Sequence, residues 1–175
     1  MVMTPAPLSQ VATECETDGL TAANAERIAV ELAALFGVQH DEVGLLRLEH
    51  DSLMFVYPTR LQNVGRIPLN TSSSVAVRTF NTKRGEISNS FAQTKHTTFF
   101  EMVALEKPGV SKKASREKQV IQKLMSAPVV AAGQSVGVIQ ICRKAPNPLE
   151  AGPDFVPADL QRLAAIATTL AKCFK

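Results

Sequence analysis

The chain has 175 residues, of which 45% are hydrophobic, and this is enough to bury the core of one domain. Its small net charge of +3 gives no reason to expect nucleic acid or an anionic membrane as a partner. The apolar stretches are too short to span a bilayer, and no secretory signal precedes them. Three widely spaced cysteines are typical of a reducing compartment, so we expect a cytoplasmic protein.

The N-terminal residues predict a leader followed by a helix. Residues 1–19 carry prolines and small polar residues, and we interpret them as a flexible leader to a single domain over residues 20–175. Thr21 favours a helix start and Gly37 a helix end. The apolar residues between them recur at helical spacing, so this helix has one buried face.

Two apolar runs, 43–49 and 53–57, flank a polar turn and predict a hairpin. The polar residues at 70–73 can then cap a short helix that runs through Val75, Val77 and Phe80. Residues 107–118 are polar and predict a long mobile loop or a frayed helix. Their basic cluster has no interleaved aromatic residues, which favours a solvated loop over a nucleic-acid site. The cluster consists of Lys112, Lys113, Arg116 and Lys118.

Residues 126–144 predict a hairpin of two long strands that turns near Gly133. The second strand has apolar residues on both faces, which is typical of a strand in the middle of a covered sheet. Gly137 lies inside this strand, where another element can come close. By strict alternation, one face carries Val136, Val138 and Cys142, and the other carries Ile139 and Ile141.

The last element predicted is an amphipathic helix that begins near Pro157. Its apolar residues recur every three or four positions up to the C-terminus. They are Leu160, Leu163, Ala167, Leu170 and Phe174.

This order of elements resembles a GAF domain, a regulatory module that binds small molecules. Three places carry the resemblance: residues 67–76, the run at 126–140, and residues 155–160 leading into the last helix. The resemblance implies an α/β fold of the α+β type, with a central antiparallel sheet of about six strands. It places the N- and C-terminal helices together on one face of the sheet. It places a ligand pocket under the short helix and the variable loops on the other face.

The resemblance also implies association, because related domains often pair through their terminal helices. We therefore expect a homodimer. Alternatively, the apolar face of the last helix packs only on the sheet of its own chain. An output domain is not evident in the sequence, so a signal would pass to a separate partner protein.

Cyclic-nucleotide-binding members of the family carry an Asn-Lys, Phe, Asp-Glu motif. Lys144, Phe155 and Asp159 match three of its five positions, whereas Arg143 and Leu160 replace the Asn and the Glu. An ion pair between Lys144 and Asp159 would join the last strand to the last helix. With two positions changed, the match favours a structural role over cyclic-nucleotide binding.

The candidate pocket residues lie between positions 72 and 100. Serines at the start of the short helix favour binding of an anionic group of a ligand. Polar residues would supply hydrogen bonds to the ligand, and phenylalanines would form the apolar walls of the pocket. The alternative for each residue is structural: serines cap the helix, phenylalanines fill the core, and Arg78 pairs with a surface acid. The candidates are Ser72, Ser73, Ser74, Arg78, Asn81, Ser88, Asn89, Phe91, His96, Phe99 and Phe100.

No spacing of histidine and cysteine predicts a metal site, and no phosphate loop or nucleophile turn predicts catalysis or a cofactor. Free methionine sulfoxide reductases are GAF-like enzymes with cysteines near the pocket, but residues 58–125 contain none here. The sequence therefore predicts a non-enzymatic sensor of an unidentified small molecule. The alternatives are a ligandless interaction module and, third, a thiol redox enzyme.

Overall fold

A computed structural model of the protein describes residues 6–63, 65–93 and 119–175. These residues form an antiparallel sheet of six strands in the order β3–β2–β1–β6–β5–β4. The strands are β1 (Val43–Glu49), β2 (Ser52–Tyr57), β3 (Ile67–Pro68), β4 (Glu86–Ser88), β5 (Val120–Ala131) and β6 (Gln134–Ala145). The α-helices of the described residues are α1 (Ala6–Asp18), α2 (Ala22–Phe36), α3 (Val75–Thr82) and α4 (Pro157–Leu170). This α+β architecture confirms the predicted fold class.

The hairpin of β5 and β6 is the centre of the sheet, as predicted. Its turn consists of Ala132 and Gly133, both with positive φ, at 50° and 78°. Two central residues with positive φ give a turn whose twist matches that of the flanking strands. β1 pairs with the other edge of β6, so β6 is enclosed by strands on both sides.

Each long strand of this hairpin carries one extra residue. Val130 pairs with Ser135 and Val129 with Gly137, so Val136 is a β-bulge. Gln122 is a second bulge, at the far end of β5. The first bulge makes one prediction wrong, because Val136 packs on the same face as Ile139 and Ile141. Simple alternation, which put Val136 with Val138, does not continue through a bulge.

One face of the sheet, here called the helical face, is covered by α1, α2 and α4. α2 lies over β1 and β2, α4 lies over β5, and α1 contacts both helices. Thr21 caps α2 by accepting a hydrogen bond from the Asn24 amide (3.2 Å), and Gly37 ends it with a φ of 62°. The predicted packing of N- and C-terminal helices on one face is confirmed.

The prediction of a flexible leader over 1–19 is wrong for residues 6–18, because they form α1. Leu8, Val11, Ala12 and Cys15 are buried, and their spacing is that of one helical face. Pro7 is compatible with this helix because it lies in the first turn, where its missing N–H has no partner to lose. Composition suggested a leader, but periodicity was the better signal.

The opposite face, here called the α3 face, is covered in part by α3. Its apolar residues come from β1, β2, β5 and β6, together with Leu61 and Phe91. The loop expected at 107–118 lies outside the described residues. No helix in the described part of the chain combines the length and hydropathy needed to cross a membrane.

Candidate functional site

The centre of the α3 face carries buried polar side chains, which form the Thr79–Ser126–Gln140 cluster. Thr79 Oγ1 donates to Ser126 Oγ at 2.9 Å, and Gln140 Nε2 donates to the same oxygen at 3.3 Å. Thr79 and Ser126 are 0% exposed and Gln140 is 5% exposed. Polar groups so deep in a core are stable only when hydrogen-bonded. The cluster therefore fixes α3 over the central hairpin.

Gly44 is the residue of β1 that pairs with Gln140. Because glycine has no side chain, the β1 residue directly opposite Gln140 adds no side chain beside the Gln140 amide. Leu46, Val138 and Cys142 surround it with apolar surface. The face thus combines an apolar floor with a few uncharged hydrogen-bonding groups, which is the composition of many small-molecule sites.

α3 itself is positioned from both ends. Ser74 accepts a hydrogen bond from the Val77 amide (3.3 Å) and caps the N-terminus. Ser135 Oγ donates to the Phe80 carbonyl at 2.7 Å, close to the C-terminus. Ser72 and Ser73, the other two candidate serines, are exposed. The structural alternative, a helix cap, is therefore what Ser74 does.

Arg78 and Asn81, both pocket candidates, lie on the solvent side of α3. Arg78 makes a two-point ion pair with Glu86, with both N–O distances at 2.8 Å. Asn81 donates to the Leu69 carbonyl at 3.0 Å. Thr79, one residue after Arg78, points to the sheet instead.

The remaining described candidates lie around β4. Ser88 is half-buried and pairs with Leu124, on the α3 face. Phe91 is buried in the core of that face. Asn89 holds the start of α4, because its side chain accepts from the Phe155 amide (2.9 Å) and donates to the Phe155 carbonyl (3.0 Å). His96, Phe99 and Phe100, also candidates, lie outside the described residues.

The residues that match the nucleotide-binding motif have structural contacts. Lys144 Nζ donates to the Asp41 carbonyl at 3.0 Å, and the Lys144 amide donates to Glu42 Oε2 at 2.6 Å. Asp159 accepts from the Val156 amide at 2.9 Å and so caps α4. The structure thus gives both ends of the predicted Lys144–Asp159 ion pair other partners.

Arg143 replaces the Asn of that motif and joins three elements. Its guanidinium donates to the Phe36 and Gly37 carbonyls at 3.0 and 3.1 Å, at the end of α2. It also lies over the Phe155 ring, 4.8 Å from the centroid, just before α4. A cation at a helix C-terminus is favourable because carbonyls there lack helical partners. Arg143 therefore connects β6 to both α2 and α4.

The three cysteines are buried thiols on opposite faces of the sheet. Cys142 is on the α3 face, whereas Cys15 and Cys173 are on the helical face. Burial raises the pKa of Cys15 and of Cys173. No group of three or more His, Cys, Asp or Glu side chains suited to a metal ion occurs in the residues that the structure covers.

No protein-family model matches the sequence, and no curated protein matches it either. Solved structures do resemble this protein. The GAF domain of an Acinetobacter phosphoenolpyruvate-protein phosphotransferase has a TM-score of 0.63 at 14% identity, over 96% of this chain and 90% of that chain. The match extends over most of both chains, so it concerns the whole domain.

The chain has a GAF-like fold.

Two further structures with this fold are a GAF domain and an enzyme. The GAF domain of nlh2 from A. aeolicus, in an inactive state, has a TM-score of 0.62 at 14% identity, over 95% of this chain and 92% of that chain. A free methionine-R-sulfoxide reductase from Neisseria meningitidis, in complex with its substrate, has a TM-score of 0.60 at 17% identity, over 96% and 86%. A GAF domain in an inactive state and a reductase in complex with its substrate both have this fold, so the fold alone does not assign a function.

Sequence reasoning missed the Thr79–Ser126–Gln140 cluster. A signal was present, since Ser126 and Gln140 are polar residues in the middle of strands whose other central residues are apolar. A buried polar residue in such a strand is more informative than an exposed one beside a helix.

Proposed function

We propose that the protein is a regulatory sensor domain that binds a small, largely uncharged molecule on the α3 face. The observation that carries this proposal is the Thr79–Ser126–Gln140 cluster on an apolar floor. Among the described residues, the polar groups hydrogen-bonded to one another over the centre of the sheet are all uncharged. An uncharged ligand would lose little hydration energy there, whereas an ion would need a partner of opposite charge.

Ligand binding would reach the terminal helices through the segment around β4. Ser88 and Phe91 belong to the α3 face, and Asn89 between them holds the backbone of Phe155 at the start of α4. A shift of this segment would therefore move the first turn of α4. For a signal to result, the ligand must bind the two positions of α4 with different affinity.

The test is a thermal-shift screen of the full chain against uncharged metabolites such as nucleosides, nucleobases and neutral amides. A ligand that binds the native state raises the melting temperature with concentration. We expect a stabilising compound for the parent protein and for Arg78→Ala, whose side chain lies on the solvent side of α3. Gln140→Leu, with its fold checked by circular dichroism, should lose the stabilisation.

Two results would contradict the sensor proposal. Stabilisation that persists in Gln140→Leu would place the ligand elsewhere. A screen without a stabilising compound would favour the second candidate, an interaction module whose α3 face is filled by its own side chains.

We further propose a homodimer formed through α2 and α4, and a separate output protein as the receiver of the signal. α1 contacts both helices, so a second copy would meet α1 as well. Light scattering after size exclusion measures the mass, and a mass of one chain at micromolar concentration would reject the dimer.

A thiol redox enzyme is the remaining candidate, favoured by the GAF-like fold of the Neisseria reductase and by the position of Cys142 on the α3 face. The other two cysteines lie behind the sheet, so they cannot act with Cys142 as a catalytic pair. We expect no turnover of free methionine sulfoxide with a thiol reductant. Turnover that disappears in Cys142→Ser would instead establish the enzyme.

A further inference from the structure

The C-terminal turn of the chain packs against α1. Residues Ala171–Phe174 continue α4 as a short 3-10 turn that contacts α1. Burial is the main cause of the raised pKa of Cys15 of α1 and of Cys173 of this turn, and each thiol also shifts the pKa of the other. They are 2% and 0% exposed. The residues beside them, Glu16 and Lys172, are ion-paired at 2.7 Å, so two thiols from opposite ends of the sequence are buried near each other.

Neighbouring contacts hold both sulfur atoms in place. Lys172 makes an ion pair with Glu16 at 2.7 Å, and each of these residues is adjacent to one of the cysteines. Phe174 lies against Gly137, where even a methyl group would come within 2.5 Å of its ring. The C-terminal turn is therefore fixed between α1 and the sheet.

We propose that Cys15 and Cys173 are a redox modification site, at which a hydroperoxide converts the two thiols to a disulfide between α1 and the C-terminal turn. This site lies behind the sheet and is independent of the function proposed for the α3 face. Because the Lys172–Glu16 ion pair already joins the residues beside the two cysteines, the bond forms between segments that are in contact.

The chemistry has two steps. The Cys15 thiolate attacks one oxygen of hydrogen peroxide, the O–O bond breaks, and hydroxide leaves to become water after taking a proton. The Cys173 thiolate then attacks the sulfenic sulfur of Cys15, its S–O bond breaks, and a second water leaves. Overall, two thiols lose two electrons and two protons, and one peroxide is reduced to two waters.

The order of the steps follows from the surroundings of the two thiols. Both thiols are buried, but Cys15 retains 2% exposure on α1, the outer helix of the layer, whereas Cys173 is 0% exposed. Burial is the main cause of the raised pKa of both thiols, so little thiolate is present and the first step is slow. The site would then respond to sustained oxidant rather than to a brief pulse.

A disulfide here would close a loop of almost the whole chain. Cross-links over long loops restrict the unfolded chain most strongly. The oxidised protein should therefore melt about 5 °C or more above the reduced protein, and a thiol reductant should reverse the change. The bond would also join the C-terminal end of α1 covalently to the end of α4.

The experiment treats the folded full chain with hydrogen peroxide and measures intact mass, a peptide map and the melting temperature. We expect a loss of two hydrogen masses, a peptide joining Cys15 to Cys173, and the higher melting temperature. Cys142→Ala should retain all three results. Cys15→Ala and Cys173→Ala, each checked for folding by circular dichroism, should lose them.

Three outcomes would overturn the proposal. The first is an unchanged mass after exhaustive oxidation of folded protein. The second is a disulfide that includes Cys142. The third is oxidation of Cys15 or Cys173 to a sulfinic or sulfonic acid without the cross-linked peptide.

Discussion

The two faces of the sheet are closed in different ways. Helices of 13, 15 and 14 residues cover the helical face, and together with the sheet they bury a continuous apolar core. The helix on the other face has eight residues and rests on hydrogen-bonded polar groups. The comparison shows that apolar burial dominates the helical face, whereas the α3 face carries the buried polar groups on which the proposed ligand site rests.

The largest expected effect tests whether the helical face carries the stability. Ile139 and Val138 are neighbours on β6 that point to the helical face and the α3 face, respectively. Ile139→Ala should lower the free energy of unfolding by about 4 kcal/mol, because it leaves a cavity in the larger core. Val138→Ala should cost about 2 kcal/mol. Chemical denaturation measures both. A difference of about 1 kcal/mol or less, which the extra methylene of isoleucine gives by itself, would contradict the comparison.

The second prediction concerns the closest approach on the helical face. A Cβ at Gly137 would lie 2.4 Å from the Leu46 carbonyl oxygen and 2.5 Å from the Phe174 ring. Gly137→Ala should therefore destabilise by about 2 to 3 kcal/mol, since a backbone atom cannot easily move away. Gln134→Ala, an exposed change on the same strand, is the control. A melting temperature unchanged by Gly137→Ala would contradict both the close approach of the β1 backbone and the packing of Phe174 at this position.

The third prediction addresses the polar cluster on the α3 face. Thr79→Val keeps the shape of the side chain and removes the hydroxyl, and it should cost about 1 kcal/mol. Ser126→Ala should cost slightly more, because it leaves the donors of Thr79 and Gln140 unpaired. A double-mutant cycle should give a coupling of about 1 kcal/mol between them. Additive effects of the two substitutions would show that the hydrogen bond contributes nothing.

The smallest effect is expected on the outer side of α3. Arg78 is exposed and Glu86 is half-buried, and ion pairs at the surface contribute little to stability. Arg78→Ala should change the free energy of unfolding by no more than about 0.5 kcal/mol. A loss as large as that of Ser126→Ala would assign Arg78 a structural role that its exposure does not indicate.

Much of the fold could be predicted from periodicity. α2 and α4 each have one buried apolar face, and β6 has apolar residues on both faces. Burial of this kind produces a regular spacing of apolar residues in the sequence. α1 was missed because prolines and polar residues near the N-terminus were given more weight than the spacing of Leu8, Val11, Ala12 and Cys15. Its apolar positions carry the same type of signal as those of α2.

The site was harder to predict, for two physical reasons. Serines and an arginine beside a short helix are common as caps and surface pairs, as Ser74 and Arg78 show. The face that a strand residue occupies depends on register, and the bulge at Val136 changes that register locally. Helical spacing would have helped with α3, because Thr79 follows Ala76 by three residues on the buried side.

The two bulges of the central hairpin have a consequence for how this sequence can vary in length. Val136 adds a residue to β6 and Gln122 adds one to β5, so the two insertions cancel and both strands have 12 residues. The residue pairs near the turn and those at the far end of the hairpin share one register. The pairs between the two bulges are shifted from that register by one residue. Deletion of one residue from each strand would keep both ends of the hairpin in the same register. Deletion of a residue from only one strand would shift the register of one end relative to the other.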